Sequence, residues 1–292
     1  MKTGRIKNKL TDINKKKIRY RMIPFLIIAC VLLFIALYQG IDEEIKMYLI
    51  FGVIFIGILV VVHVESKIGD LDEDRHDLYN DALETMIDYP HYEPERGFTN
   101  IDVITFGIIK LGKIFNSENY FQGIYKGISA RMADVVIYGD SNDEDDCDVI
   151  NYFDGRIYEF RSDKINVQNV KVFARGYNSR LNISDKRVDV DNLIFNDIFD
   201  VYAPEPSEVA EILTNEMIEN LLKIQYKHKS IGFRFDKGKV YVAIHGLKIM
   251  YGDDQGKGDY IPELAIIREE IKVVKDLVEG LGLVNEVQLE QG

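Results

Sequence analysis

Ser230-Ile231-Gly232-Phe233-Arg234-Phe235-Asp236-Lys237-Gly238-Lys239-Val240-Tyr241-Val242-Ala243-Ile244-His245 is the stretch on which the fold depends. Two runs rich in Ile, Val, Phe and Tyr flank Asp236-Lys237-Gly238, where glycine allows the chain reversal of a hairpin. Just upstream lies the clearest helix. Pro206 sits in its first turn, with Glu205 and Glu208 near the positive end of the dipole. Val209, Ile212, Leu213, Met217, Leu221 and Ile224 share one face, and Lys223, Lys227 and Lys229 gather at the far end. Downstream, a second amphipathic helix is expected from Pro262 to about Glu279, stopped by Gly280.

Further upstream the texture is β from Tyr120 onward. Period-two alternation marks strands at Gly123–Ser129, Ala133–Tyr138, Val149–Arg161 and Val167–Ala174, with turn-rich segments at 139–148 and 176–186. Within the third run, Asp154-Gly155 reads as a two-residue turn or a bulge. A further β-like stretch covers Val188 to Tyr202. Asn100 to Phe115 reads as a short core segment whose spacing permits a helix; Asp102, Lys110 and Lys113 interrupt it. Strands, helix, hairpin and helix in that order describe an α+β domain.

The N-terminal part has a different character. Met22 to Tyr38 (MIPFLIIACVLLFIALY) and Met47 to Val64 (MYLIFGVIFIGILVVVHV) are apolar runs of 17 and 18 residues, joined by Gln39 to Lys46. Each is at the short end of what crosses a hydrocarbon core of roughly 30 Å. The expectation is a two-helix transmembrane hairpin. The first run lacks the small-residue cleavage pattern of a signal peptide. Lys2, Arg5, Lys7, Lys9, Lys15, Lys16, Lys17, Arg19 and Arg21 precede the first run, whereas Asp42, Glu43 and Glu44 sit in the loop. By the positive-inside bias, a cell-membrane protein with two spans and both termini cytoplasmic is expected. Glu65 to Tyr89 carries Ile68, Leu71, Leu78, Ala82 and Met86 at helical spacing, and Pro90 and Pro94 end that helix. The expected organisation is therefore a basic cytoplasmic leader (1–21), a transmembrane helical hairpin (22–64), a juxtamembrane helix and linker (65–95) and a cytoplasmic domain (96–292). As a fold class this is α+β: the hairpin, then a mainly antiparallel β domain with flanking amphipathic helices.

Charge sharpens the division. Residues 1–64 hold ten Lys/Arg and four Asp/Glu; removing these from totals of 36 and 48 leaves 26 basic and 44 acidic residues in 65–292, a net of −18. So acidic a region repels phosphate backbones, which argues against nucleic-acid binding. The two cysteines, Cys30 in an apolar run and Cys147 in an acidic segment, exclude a disulfide framework.

Several stretches resemble a bacterial family catalogued as domain of unknown function 3137. They are Phe195-Asn196-Asp197-Ile198-Phe199-Asp200-Val201-Tyr202, then Ala210, Ile212-Leu213-Thr214 and Met217, then the hairpin from Ile231 to Ile244. Tyr92 to Gly97, Tyr120 to Ile128 and Phe153-Asp154-Gly155-Arg156 look like the same pattern, so the resemblance spans roughly 70 to 250. Ala210 is followed by Glu211 where the family often carries Arg. The resemblance implies a membrane location and this architecture. It implies no catalytic residues.

A search for chemistry finds one tempting site. Asp140, Asn142, Glu144, Asp146 and Asp148 imitate the alternate oxygens of a calcium loop. Asp145 replaces the sharp-turn glycine, however, and Asn151 stands where a bidentate Glu belongs, so a solvated loop is the plainer reading. Gly252-Asp253-Asp254-Gln255-Gly256-Lys257-Gly258 has the wrong spacing for a phosphate loop and no Ser or Thr after Lys257. His63, His76, His91, His228 and His245 show no metal-ligand spacing. There is no nucleophile elbow and no dinucleotide fingerprint, so no cofactor is implied. Lys15, Lys16, Lys17, Arg19 and Arg21 read first as a topology signal and second as a lipid head-group patch, at about 1 kcal/mol per charge.

The function these readings point to is a membrane-anchored, non-catalytic binding or scaffold module with a protein partner at the cytoplasmic face. Its alternatives are an enzyme built from dispersed Asp, Glu and His residues, and a lipid-contacting module. Apart from the bilayer, the sequence identifies no partner and sets no oligomeric state.

Overall fold

The computed structural model describes residues 2–37, 43–140, 149–177, 181–246 and 264–284. The chain divides into two compact units, Met1–Ala82 and Leu83–Gly292.

The first unit is built from two long helices, α1 (Lys2–Leu37) and α2 (Glu43–Leu83), whose last residue belongs to the second unit. Among the described residues, no helix is long and apolar enough to cross a membrane. This corrects the expected transmembrane hairpin over 22–64, and with it the cell-membrane location, the two spans and the cytoplasmic termini. The physical reason is that the apolar runs do not make helices of their own. α1 is continuous through the charged leader with its nine basic residues and passes through Pro24 mid-helix, and α2 runs on into the acidic stretch DLDEDRHD. Of the expected connecting loop, Gln39 to Lys46, residues 39–42 lie outside the described residues and Glu43 to Lys46 form the start of α2.

The second unit is a nine-stranded sheet with helices, and every strand pair is antiparallel. Its strands are β1 (Asp88–Glu93), β2 (Ile114–Tyr125), β3 (Ile128–Asp140), β4 (Val149–Arg161), β5 (Val170–Ala174), β6 (Lys186–Arg187), β7 (Phe199–Ala203), β8 (Ile231–Asp236) and β9 (Lys239–His245), in the order β1-β2-β3-β4-β9-β8-β5-β7-β6. Helices α3 (Asn100–Phe106), α4 (Leu193–Ile198), α5 (Pro206–Ile212), α6 (Asn215–Lys227) and α7 (Leu264–Gly280) complete it.

Two hairpins share one turn chemistry. Lys237 and Gly238 join β8 to β9 with φ values of 44° and 79°, and Lys126 and Gly127 join β2 to β3 with 48° and 78°. Both central residues are left-handed, the backbone of a type I′ turn whose twist matches the flanking strands. The first hairpin is where the sequence places it. The second falls inside the expected strand Gly123–Ser129, because lysine at the first central position gives no turn signal.

Other boundaries move for local reasons. β4 runs unbroken through Asp154-Gly155, which pair with Val136 and Val135. Gly155 is there for close approach, since a Cβ would strike the Ile244 carbonyl of β9. The expected helix from Pro206 breaks at Leu213, and Thr214 restarts it by accepting the Met217 N–H at 3.2 Å. Asn192 likewise caps α4 through the Phe195 N–H, turning part of the β-like stretch 188–202 into helix. Pro90 lies in β1, an edge strand where its missing N–H is tolerated. Thr99 and Asp102 form a reciprocal capping box at the start of α3, inside the segment expected to be core.

Side-chain alternation assigns the two faces of the sheet. Ala133, Val135, Ile137, Phe153, Ile157, Tyr241 and Ala243 pack with Phe98, Val103, Phe106, Ile108 and Ile109 around α3. The intervening positions, including Arg156, face the other way, where α7 buries Ile271, Val274, Leu277 and Val278. The end of α7 is held by Tyr125 and Lys126 through Glu279, and Leu283 by Ser162. Among the described residues both faces of the central strands are therefore covered, except over one end of the α3 face.

Candidate functional site

The register of β3 and β4 sets Arg131 opposite Glu159 and Asp134 opposite Arg156. In each strand the two positions are three apart, so the pairs project from opposite faces. One pair is sealed and the other is open.

On the sealed face Arg156 is 0% exposed. Its Nε donates to Asp134 Oδ1 at 2.7 Å, and its guanidinium also pairs with Glu270 of α7. Asn119 donates to Asp134 Oδ2 at 2.8 Å, and Tyr92 of β1 donates to Asn119 at 3.2 Å. A polar chain thus runs from the edge strand through the sheet to α7. The Tyr158 hydroxyl beside it is buried with no hydrogen-bond partner among the described residues, and burial pushes its pKa well above the ordinary value. This buried network ties α7 to the sheet.

On the open face the Glu159 carboxylate is 1% exposed. Arg131 Nε donates to its Oε2 at 2.5 Å, while Arg161 Nε and Lys239 Nζ lie 3.5 and 3.7 Å from Oε1. The Arg131 guanidinium also stands 3.3 Å from Asp102 of α3 and over the rings of Phe98 and Phe106. Burial would push Arg131 down, but Glu159 and then Asp102 hold it above its usual value. For Asp102, burial is outweighed by the Thr99 hydrogen bonds and by Arg131, which keep it below the usual carboxylate range. Three cations thus meet two carboxylates.

Beside this cluster opens a groove of about 360 Å³, lined by Tyr89, Tyr120, Gln122, Ser129, Arg131, Glu159 and Arg161 among others. Tyr89 stands on its rim, 81% exposed, with a left-handed φ of 50° at the β1 irregularity between Asp88 and His91. For a bulky residue that conformation is a true outlier, of a kind that collects at ligand sites. Tyr120 donates to Gln122 at 2.9 Å and holds that side chain in place.

The residues singled out from the sequence lie elsewhere. Asp140 ends β3, exposed and paired with Lys113. Asn142, Glu144, Asp146 and Asp148 fall outside the described residues, as does the glycine loop 252–258. Among the described residues no three His, Cys, Asp or Glu side chains come together to hold a metal. Lys15, Lys16, Lys17, Arg19 and Arg21 lie along α1; Lys16 pairs with Asp12 at 3.0 Å and Lys17 is buried. The histidines are dispersed: His63 and His76 on α2, His91 beside Glu93 on β1, His228 at the end of α6, His245 at the end of β9. His245 lies between Phe153 and Tyr177, and burial lowers its pKa against the opposing pull of Asp154.

Arg131, Glu159, Asp134, Arg156 and Glu270 were not among the sequence candidates. Their signal was present, since Asp134 interrupts Met132-Ala133 and Val135-Val136, and Arg156 interrupts Gly155 and Ile157. Charges inside otherwise apolar strands need partners.

No curated protein matches the sequence. Among solved structures, the crystal structure of the mycobacterial trehalose monomycolate transport factor A, TtfA, aligns over 68% of this chain and 93% of its own, at 10% identity and a TM-score of 0.35. The family-model match is narrower in span than the resemblance suggested, leaving out Tyr92 to Gly97 and Tyr120 to Ile128 but running through the whole of α7. Residues 151–283 match the family model of DUF3137, a protein of unknown function.

Proposed function

We propose that the sheet-bearing unit is a non-catalytic binding module whose ligand occupies the groove between Tyr89 and Arg161. The observation that carries this reading is the buried Glu159 carboxylate at the groove wall, ringed by Arg131, Arg161 and Lys239. Oε2 accepts from Arg131, and Arg161 and Lys239 flank Oε1 at ion-pair distance, so the carboxylate is held as a charge within a pattern of fixed cations. A concave site with a few placed polar groups and an exposed aromatic rim is the general form of a recognition site.

The test is a screen of the full chain against small molecules and short peptides by ligand-observed NMR. Gln122→Trp, at an exposed position of the groove lining, serves as the blocked control. Ligands whose signals are lost in the blocked protein support the reading. Ligands that bind both proteins equally, or a ligand converted to product, overturn it.

A further inference from the structure

We infer that the groove receives a carboxylate group of its ligand, with Arg161 as the fork that takes it; this rests on the groove being the binding site. Arg161 is anchored at one side only. Its Nε faces Glu159 Oε1 at 3.5 Å, its side chain is 61% exposed, and its two terminal amino groups make no bond among the described residues. A guanidinium whose Nε lies against a carboxylate still presents two parallel N–H donors at its far end, which match the two oxygens of a second carboxylate. Ser129 is the register partner of Arg161 and adds a hydroxyl beside it. Gln122, whose oxygen accepts from Tyr120, lines the same space.

Charge selects the class of anion. Arg131, Arg161 and Lys239 against Glu159 and Asp102 leave one positive charge in excess. A monoanion neutralises it. A phosphate monoester, with close to two negative charges at neutral pH, would place the second near buried Glu159, where like charges repel strongly. The rim then describes the rest of the ligand, because the exposed ring of Tyr89 offers an apolar, planar surface for stacking. A small aromatic carboxylic acid and the carboxyl terminus of a peptide both satisfy this chemistry.

The experiment titrates the isotope-labelled full chain with benzoate, benzamide, phenyl phosphate, and N-acetyl-Gly-Gly-Phe as its free acid and as its amide. The readout is the amide shifts of Gly123, Ser129 and Ala130. At least one acid is expected to saturate these shifts, its amide to bind at least tenfold more weakly, and Arg161→Gln to weaken the acid at least tenfold. Arg161→Lys, which keeps the charge but loses the fork, should fall between. Whichever acid binds more tightly identifies the source of the carboxylate. Amides that bind as well as the acids overturn the carboxylate inference while leaving the groove as a binding site. Phenyl phosphate binding more tightly than benzoate overturns the choice of anion. Shifts from none of the five overturn both readings.

Discussion

Two arginines on neighbouring strands of one sheet have matching partners and opposite consequences. Arg156 lies between a carboxylate on the adjacent strand, Asp134, and one on a helix, Glu270; Arg131 lies between Glu159 across the strand pair and Asp102 of α3. The first is fully buried, and the second has a side chain 29% exposed beside a groove. Ion pairs alike in composition therefore differ in role according to what covers them. Under α7 the charges can only satisfy each other, so the cluster serves position. At the groove the same arrangement leaves donors facing solvent, so the cluster can serve recognition.

Breaking the sealed cluster should have the largest effect. Arg156→Met leaves Asp134 and Glu270 buried without their cation, a loss of about 3–5 kcal/mol. Urea denaturation measures it, and faster hydrogen exchange in α7 should accompany it. A loss under about 1 kcal/mol would mean that solvent reaches this cluster after all. Arg131→Gln should cost less, about 1–3 kcal/mol, because Glu159 keeps Arg161 and Lys239 nearby. If the two substitutions cost the same, the distinction between sealed and open faces fails.

A further ionisable group on the α3 face, outside the charge cluster, is read by pH. The folded-state pKa of His245 lies below the ordinary 6.5, chiefly through burial. Below that value the unfolded chain takes up a proton that the folded chain does not, so stability is whole above it and declines as pH falls toward the lower folded-state value. Urea midpoints measured from about pH 7.5 to about pH 5 should fall less in His245→Phe than in the parent. His228, also lowered by burial, will retain part of the slope. The smallest effect on stability belongs to Arg161→Gln, within about 0.5 kcal/mol for so exposed a side chain. That near-neutrality is what makes the substitution a clean probe of binding.

Much of the sheet was legible in advance. The β8–β9 hairpin, the strands of 149–161 and 170–174, and an amphipathic α7 all follow from alternation and helical spacing, which record one-sided burial directly. Boundaries at Lys126, Leu213 and Asn192 were less visible, because a left-handed lysine and single capping side chains leave faint marks. The N-terminal runs show the opposite failure. Apolar composition was read as a span, but the helices extend beyond those runs into charged sequence, and composition alone does not say where a helix stops. The groove was illegible for another reason. Tyr89, Gln122, Arg131 and Arg161 are brought together only by strand pairing, and none stands in a local motif.

By itself the sequence determined the class of the larger unit, an antiparallel sheet with amphipathic helices, because periodicity is a local consequence of which face is buried. The net charge of −18 beyond residue 64 is likewise a property of the sequence alone. Tertiary structure alone decided strand order, the pairing of each buried charge and the position of the open groove. Those depend on register and on which helix covers which face, quantities set by contacts between residues far apart in the chain.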